Sequence, residues 1–196
     1  MTIHVAVAAR AGGVGKSSMV LNLAGAAVKK GLKPVCICLD YQGTILNLVD
    51  ETSDYPFDVG DERSDATDNY DIAFYDYEAG DLDIQEDIIV TGFRAAKSGI
   101  NSLLLTLDEL KAKGIKHVIP YINEVEMHKE DDATWATQCK EKFGAHIIKK
   151  NGRITQANNN SITVFHPALN GKYEVGTVRA EYELVLDHIL GVAHGN

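Results

Sequence analysis

Arg10-Ala11-Gly12-Gly13-Val14-Gly15-Lys16-Ser17 is the stretch from which the rest of the chain is read. Ahead of it the apolar run Ile3-His4-Val5-Ala6-Val7-Ala8-Ala9 predicts a short buried strand. Behind it Ser18 to Val28 predicts a buried helix, closed by Lys29-Lys30-Gly31. Strand, glycine loop, Lys-Ser and helix is the order that aims backbone N–H groups and a helix N-terminus at a polyphosphate. In this reading Lys16 reaches the outer phosphates and the Ser17 hydroxyl completes a magnesium shell. Gly12, Gly13 and Gly15 permit the close backbone approach that a phosphate nest needs. Arg10 stands where the usual motif has its first glycine, so the flanking strand and helix carry the assignment. A glycine-rich turn that binds nothing is the competing reading, and that context argues against it.

The 196 residues are 45% apolar and 24% charged, ordinary for one globular domain with a core of its own. Residues 1–196 are therefore read as a single nucleotide-binding domain. No apolar run approaches the roughly 18–20 residues of a membrane span, and no secretory signal precedes the first strand. Cys36, Cys38 and Cys139 are sparse and odd in number, which points to a reducing cytoplasm. Cys36 and Cys38 share one face of a predicted strand and are expected to act as small buried hydrophobes.

The net charge of −9 is unevenly spread. Residues 50–87 carry fifteen Asp/Glu against Arg63 alone, a local balance of −14 that leaves the remainder at +5. Such a block reads as a solvated segment, and 50–69 is expected to be loop with at most one short helix. Basic residues toward the C-terminus are dispersed, so nonspecific, salt-sensitive DNA contact requires folding to gather several on one face.

Further along, strands are expected at 34–39, 71–76, 87–92, 116–123 (interrupted or ended by Pro120) and 145–148. Helices are expected at 98–113, 132–143 and 177–190. This alternation predicts an α/β fold, a mostly parallel twisted sheet with helices on both faces. Ligands on such sheets bind at the carboxyl ends of strands. Asp40 and Asp76 fall there, beside the loop at 10–17, where a magnesium nucleotide site needs carboxylates.

These residues resemble the ParA/MinD family of deviant Walker-type ATPases, in the shape of the small plasmid-partition ParA proteins. The family's K-G-G-x-G-K-[ST] is matched by Ala11 to Ser17, and its D-x-D-P-Q-G-N by Cys38-Leu39-Asp40-Tyr41-Gln42-Gly43-Thr44. Its D-x-x-[AP]-G is matched by Asp76-Tyr77-Glu78-Ala79-Gly80. Looser matches follow at Arg153 to Ala157 and at Ile162 to Pro167. The resemblance implies ATP and Mg2+ as ligands and an ATP-dependent homodimer. It also implies nonspecific DNA binding and a ParB-like or other adaptor that stimulates hydrolysis. It implies nucleotide contacts from Ala11, Gly12, Gly13, Val14, Gly15, Lys16, Ser17 and Ser18. Ser17, Asp40 and Asp76 would serve the metal, and Asp40 with Lys16 the chemistry. Asp76 and Gly80 would sense the γ-phosphate. Asn123 would read the adenine or, equally, cap a turn.

Three departures stand out. The family's signature lysine is Ala11 here, with Arg10 one position earlier, and guanidinium and ammonium do not fill the same geometry. Losing one charged hydrogen bond costs about 1.5–3 kcal/mol in binding. A charge acting in trans on phosphoryl transfer is worth roughly 10³–10⁵ in rate. ATP binding is thus expected to survive and hydrolysis to be slow. Cys38 replaces a carboxylate, and only Asp81 to Glu86 stands where relatives carry a helix. The C-terminal helix lacks a basic face, which argues against the membrane-binding branch.

The expected function is ATP-dependent self-association in plasmid or DNA partition or stability. The main alternative is a non-hydrolysing adaptor for plasmid stability or conjugation that recruits a protein partner. A metabolic kinase or ligase is a third, disfavoured by the lack of an acceptor-site motif.

Overall fold

The computed structural model describes residues 1–49, 53–66 and 68–195. Seven strands form one sheet in the order β3-β2-β4-β1-β5-β6-β7, and every pairing is parallel. The strands are β1 (Ile3–Val7), β2 (Pro34–Cys38), β3 (Asp58–Gly60), β4 (Ile72–Asp76), β5 (Ile88–Arg94), β6 (His117–Val125) and β7 (His146–Lys149). The helices are α1 (Lys16–Lys29), α2 (Lys97–Ala112), α3 (Glu130–Phe143), α4 (Gly152–Asn159) and α5 (Val175–Ala193). The sheet is therefore wholly rather than mostly parallel. Among the described residues no helix is long and apolar enough to cross a membrane.

Alternate residues of the central strands feed two cores. Val5, Val7, Cys36, Cys38, Ile72 and Phe74 face α1 and α5, which also pack on each other. Ala6, Val35, Ile37, Ala73 and Tyr75 face the other side with Leu110 of α2, and α3 closes that side over β6 and β7. Burial raises the thiols of Cys36 and Cys38, consistent with inert core residues.

The structure corrects two expectations and adds a helix. Pro120 neither interrupts nor ends β6. β7 pairs only from Tyr121 onward, so at Pro120 the strand has a neighbour on one side, where a missing N–H is tolerated. Within the acidic block, Asp58–Gly60 pairs with β2 as an edge strand, and Arg63–Asp65 forms a 3-10 turn. Residues 50–52 and 67 of the expected loop lie outside the described residues. Finally, 152–159 is a helix, α4, capped by the Asn151 side chain accepting from the Arg153 N–H.

The short segment after Gly80 has no helix. Leu82 fills part of the sheet face instead, its carbonyl accepting from Lys113 Nζ at 2.7 Å. Arg63 reaches in from the acidic block, stacking over Tyr75 and Tyr77 and pairing with the buried Glu86 carboxylate. Tyr77 donates to Glu86 at 2.7 Å; burial beside that carboxylate pushes the phenol up to about 12.

Candidate nucleotide-binding site

The loop between β1 and α1 turns because two glycines adopt left-handed backbone, Gly13 at φ 67° and Gly15 at φ 88°. Gly15 is also the N-cap of α1, and a β-carbon there would lie 2.2 Å from Asn123 Nδ2. Any larger residue would be strained at that φ and would push the Asn123 amide aside. The first turn of α1 has no acidic residue and no side-chain cap, so its partial positive charge is left for an external anion.

Above the loop is a cavity of about 510 Å³. Of the sequence-derived candidates, Gly12, Gly13, Gly15, Lys16, Ser17, Ser18 and Asp40 line it. Glu78, Ala79 and Asn158 join them. Asn158 was not anticipated: it comes from α4, whose side chain sits 3.5 Å from Ser18 Oγ. Ala11 and Val14 belong to the loop without lining the cavity, and Val14 is buried. Gly80 donates its N–H to the Ala9 carbonyl at 3.0 Å, holding the 78–80 segment against the start of the loop.

Asp76 is the last residue of β4, between Val7 of β1 and Cys38 of β2, and it is fully buried. Ser17 Oγ donates to its Oδ2 at 2.6 Å, while Oδ1 has no partner among the described residues. Burial raises this carboxyl to about 6, opposed by the Ser17 hydrogen bond and the Lys16 charge and assisted by Asp40. The group is buried and half-satisfied. Asp40 lies two residues beyond β2. Its Oδ1 accepts from the Gln42 N–H at 3.0 Å and its Oδ2 from Thr44 Oγ at 2.9 Å, so the turn that follows holds it in place.

Two candidates sit elsewhere. The Arg10 guanidinium donates to Glu109 of α2 at 2.6 Å, on the outside of the loop. Asn123 lies within β6 rather than after it, and its Nδ2 donates to the Val14 carbonyl at 2.9 Å. Beside it Arg94, the last residue of β5, donates to the Gly13 carbonyl from Nε at 3.1 Å and Nη2 at 2.5 Å. Arg94 carried no local sequence signal, because one arginine ending a strand looks like any surface charge.

No curated protein matches the sequence. Solved structures do. A plasmid partition protein from Borrelia burgdorferi B31 bound to AMPPNP superposes with a TM-score of 0.73 at 17% identity, over 98% of this chain and 100% of that one. MinD from Pyrococcus horikoshii with Mg-ADP gives 0.71 at 14% identity, over 98% of each chain. An Aquifex aeolicus MinC:MinD cell division complex gives 0.70 at 17% identity, over 97% and 96%. At such identities these likenesses establish the fold. The sequence itself matches the model of the CobQ/CobB/MinD/ParA nucleotide binding domain over residues 5–164, and the chain belongs to that family.

Proposed function

We propose that this protein is a ParA-type switch that binds Mg-ATP, self-associates in that state and hydrolyses slowly, in the service of plasmid or DNA partition or stability. The observation that carries this reading is the Ser17–Asp76 pair beneath an open glycine loop. The buried Oδ1 of Asp76 lacks a partner, and a hard divalent cation is the natural one for an ionised carboxylate beside a hydroxyl. Ser17 and Asp76, with Asp40 across the cavity, are the residues that would hold magnesium there. When bound, the ion neutralises charge on the outer phosphates. Lys16 grips those phosphates and Asp40 orients the attacking water. Nonspecific DNA and a ParB-like or other adaptor are the partners this reading brings with it.

A second reading has its own support. Ala11 brings no charge to the loop, and Arg10 is engaged by Glu109. A site without such a charge can bind and signal with little turnover, as a nucleotide-gated adaptor for a protein partner.

Calorimetric titration of ATP with and without magnesium tests the site. Lys16→Ala abolishes binding, and Asp76→Asn removes the magnesium-dependent part of the affinity. Unchanged ATP affinity in Lys16→Ala overturns the assignment.

A further inference from the structure

Arg94 and Asn123 face each other as register partners across the β5–β6 ladder, at the carboxyl ends of those strands. Arg94 donates twice to the carbonyl of Gly13, and Asn123 donates once to the carbonyl of Val14. These are successive peptide units of the phosphate loop. Among the described residues no peptide bond is cis, and in a trans peptide the N–H points opposite to the carbonyl it is bonded with. A carbonyl drawn down toward the sheet therefore turns its N–H up. The Gly13 carbonyl shares its peptide with the Val14 N–H, and the Val14 carbonyl shares its peptide with the Gly15 N–H. Neither N–H has a partner among the described residues.

We infer that Arg94 and Asn123 are positioning residues that set two consecutive peptide planes of the loop, so that the Val14 and Gly15 N–H groups are preoriented toward a polyphosphate. The inference rests on the nucleotide-site reading above and deepens it. It assigns Asn123 to the phosphates rather than to the base.

The local construction fits the role. Arg94 is itself gripped by Glu124, through Nη1 and Oε2. Glu124 has a left-handed backbone, φ 56°, at an irregularity in the β6–β7 pairing between Ile122 and Val125. A non-glycine residue in that region is strained and persists where the surroundings enforce it. Here it places a carboxylate behind the guanidinium. The guanidinium fork serves one carbonyl from two nitrogens, which a lysine cannot reproduce. The glycine at 15 is required by the same arrangement, because a side chain there would displace the Asn123 amide. Preoriented donors gain affinity because the loop is not reorganised when the anion arrives.

The test is binding of ATP, GTP and inorganic tripolyphosphate, each with magnesium, to the full chain and to Arg94→Ala, Asn123→Ala and Lys16→Ala. Removing either positioning residue weakens all three ligands by a common factor, about tenfold. Tripolyphosphate has no base, so equal losses across the three locate the effect in the loop. Asn123→Ala that alters only the preference between ATP and GTP, with tripolyphosphate binding intact, overturns the inference for Asn123. Intact tripolyphosphate binding in Arg94→Ala overturns it for Arg94. Lys16→Ala distinguishes the two levels: if it binds normally, the nucleotide site itself is misassigned. Should an alanine variant fail to fold, Arg94→Lys and Asn123→Ser are read by 15N NMR. The Val14 and Gly15 amides shift strongly on adding tripolyphosphate to the parent protein. In the variants that shift shrinks while the rest of the spectrum stays folded; full-sized shifts at both amides overturn the inference.

Discussion

The Arg10 guanidinium is bound to the Glu109 carboxylate at 2.6 Å, so the cation closest in sequence to Ala11 is engaged with α2 outside the phosphate cavity. Both side chains are substantially exposed, so solvent screens the pair and it adds little to stability. Glu109→Ala is accordingly expected to unfold at nearly the urea midpoint of the parent. Ala11→Lys is expected to raise ATP turnover by about tenfold or more. Urea unfolding checks the first expectation and a phosphate-release assay the second; an unchanged rate in Ala11→Lys would show that the missing lysine is not what limits hydrolysis.

Asp40 is held by the turn it begins, through Gln42 and Thr44. If its task is to orient water, Asp40→Ala binds ATP within a few-fold of the parent and loses turnover. Parallel measurement of affinity and single-turnover rate separates the two, and a normal rate removes Asp40 from the mechanism.

The Arg63–Glu86 pair lies on the sheet face that has no helix over residues 81–86. Glu86 is nearly inaccessible, so deleting its partner leaves a buried carboxylate without a counter-charge. Arg63→Met is expected to cost about 3 kcal/mol in urea unfolding, and Arg63→Met with Glu86→Leu to recover part of it, the rest being lost because the Tyr77 hydroxyl is left without its acceptor. A double variant no more stable than the single one contradicts this.

His146 of β7 lies 3.0 Å from His188 of α5, nitrogen to nitrogen. Burial first, then the neighbouring His188 and Lys140 charges, lower its pKa to about 4. In the unfolded chain it titrates near about 6.5. The folded state thus resists protonating it, so its contribution is complete above about 6.5 and is lost as pH falls toward about 4, at most about 3 kcal/mol. Unfolding midpoints measured from pH 7.5 to 4.5 should fall less steeply in His146→Phe than in the parent. Identical slopes would contradict the assignment.

What could be read from the sequence was what has a local signature. β1, the glycine loop and α1 were legible because an apolar strand and an apolar helix flank the loop, and Gly13 and Gly15 mark its left-handed turns. Asp76 was legible as a carboxylate ending an apolar strand. β3 was not, since three residues in an acidic block show no period. α4 was missed because Gly-Arg-Ile-Thr-Gln-Ala-Asn-Asn buries Ala157 alone and has no apolar stripe. Arg94 and Asn158 reach the loop and cavity only through tertiary packing, from elements distant in sequence. The destination of Arg10 depended likewise on Glu109, ninety-nine residues away.

Light scattering coupled to size exclusion, with magnesium and ATP, ADP or no nucleotide, tests the central claim most directly. The account predicts a dimer with ATP and a monomer with ADP or without nucleotide. A mass indifferent to nucleotide would contradict the switch.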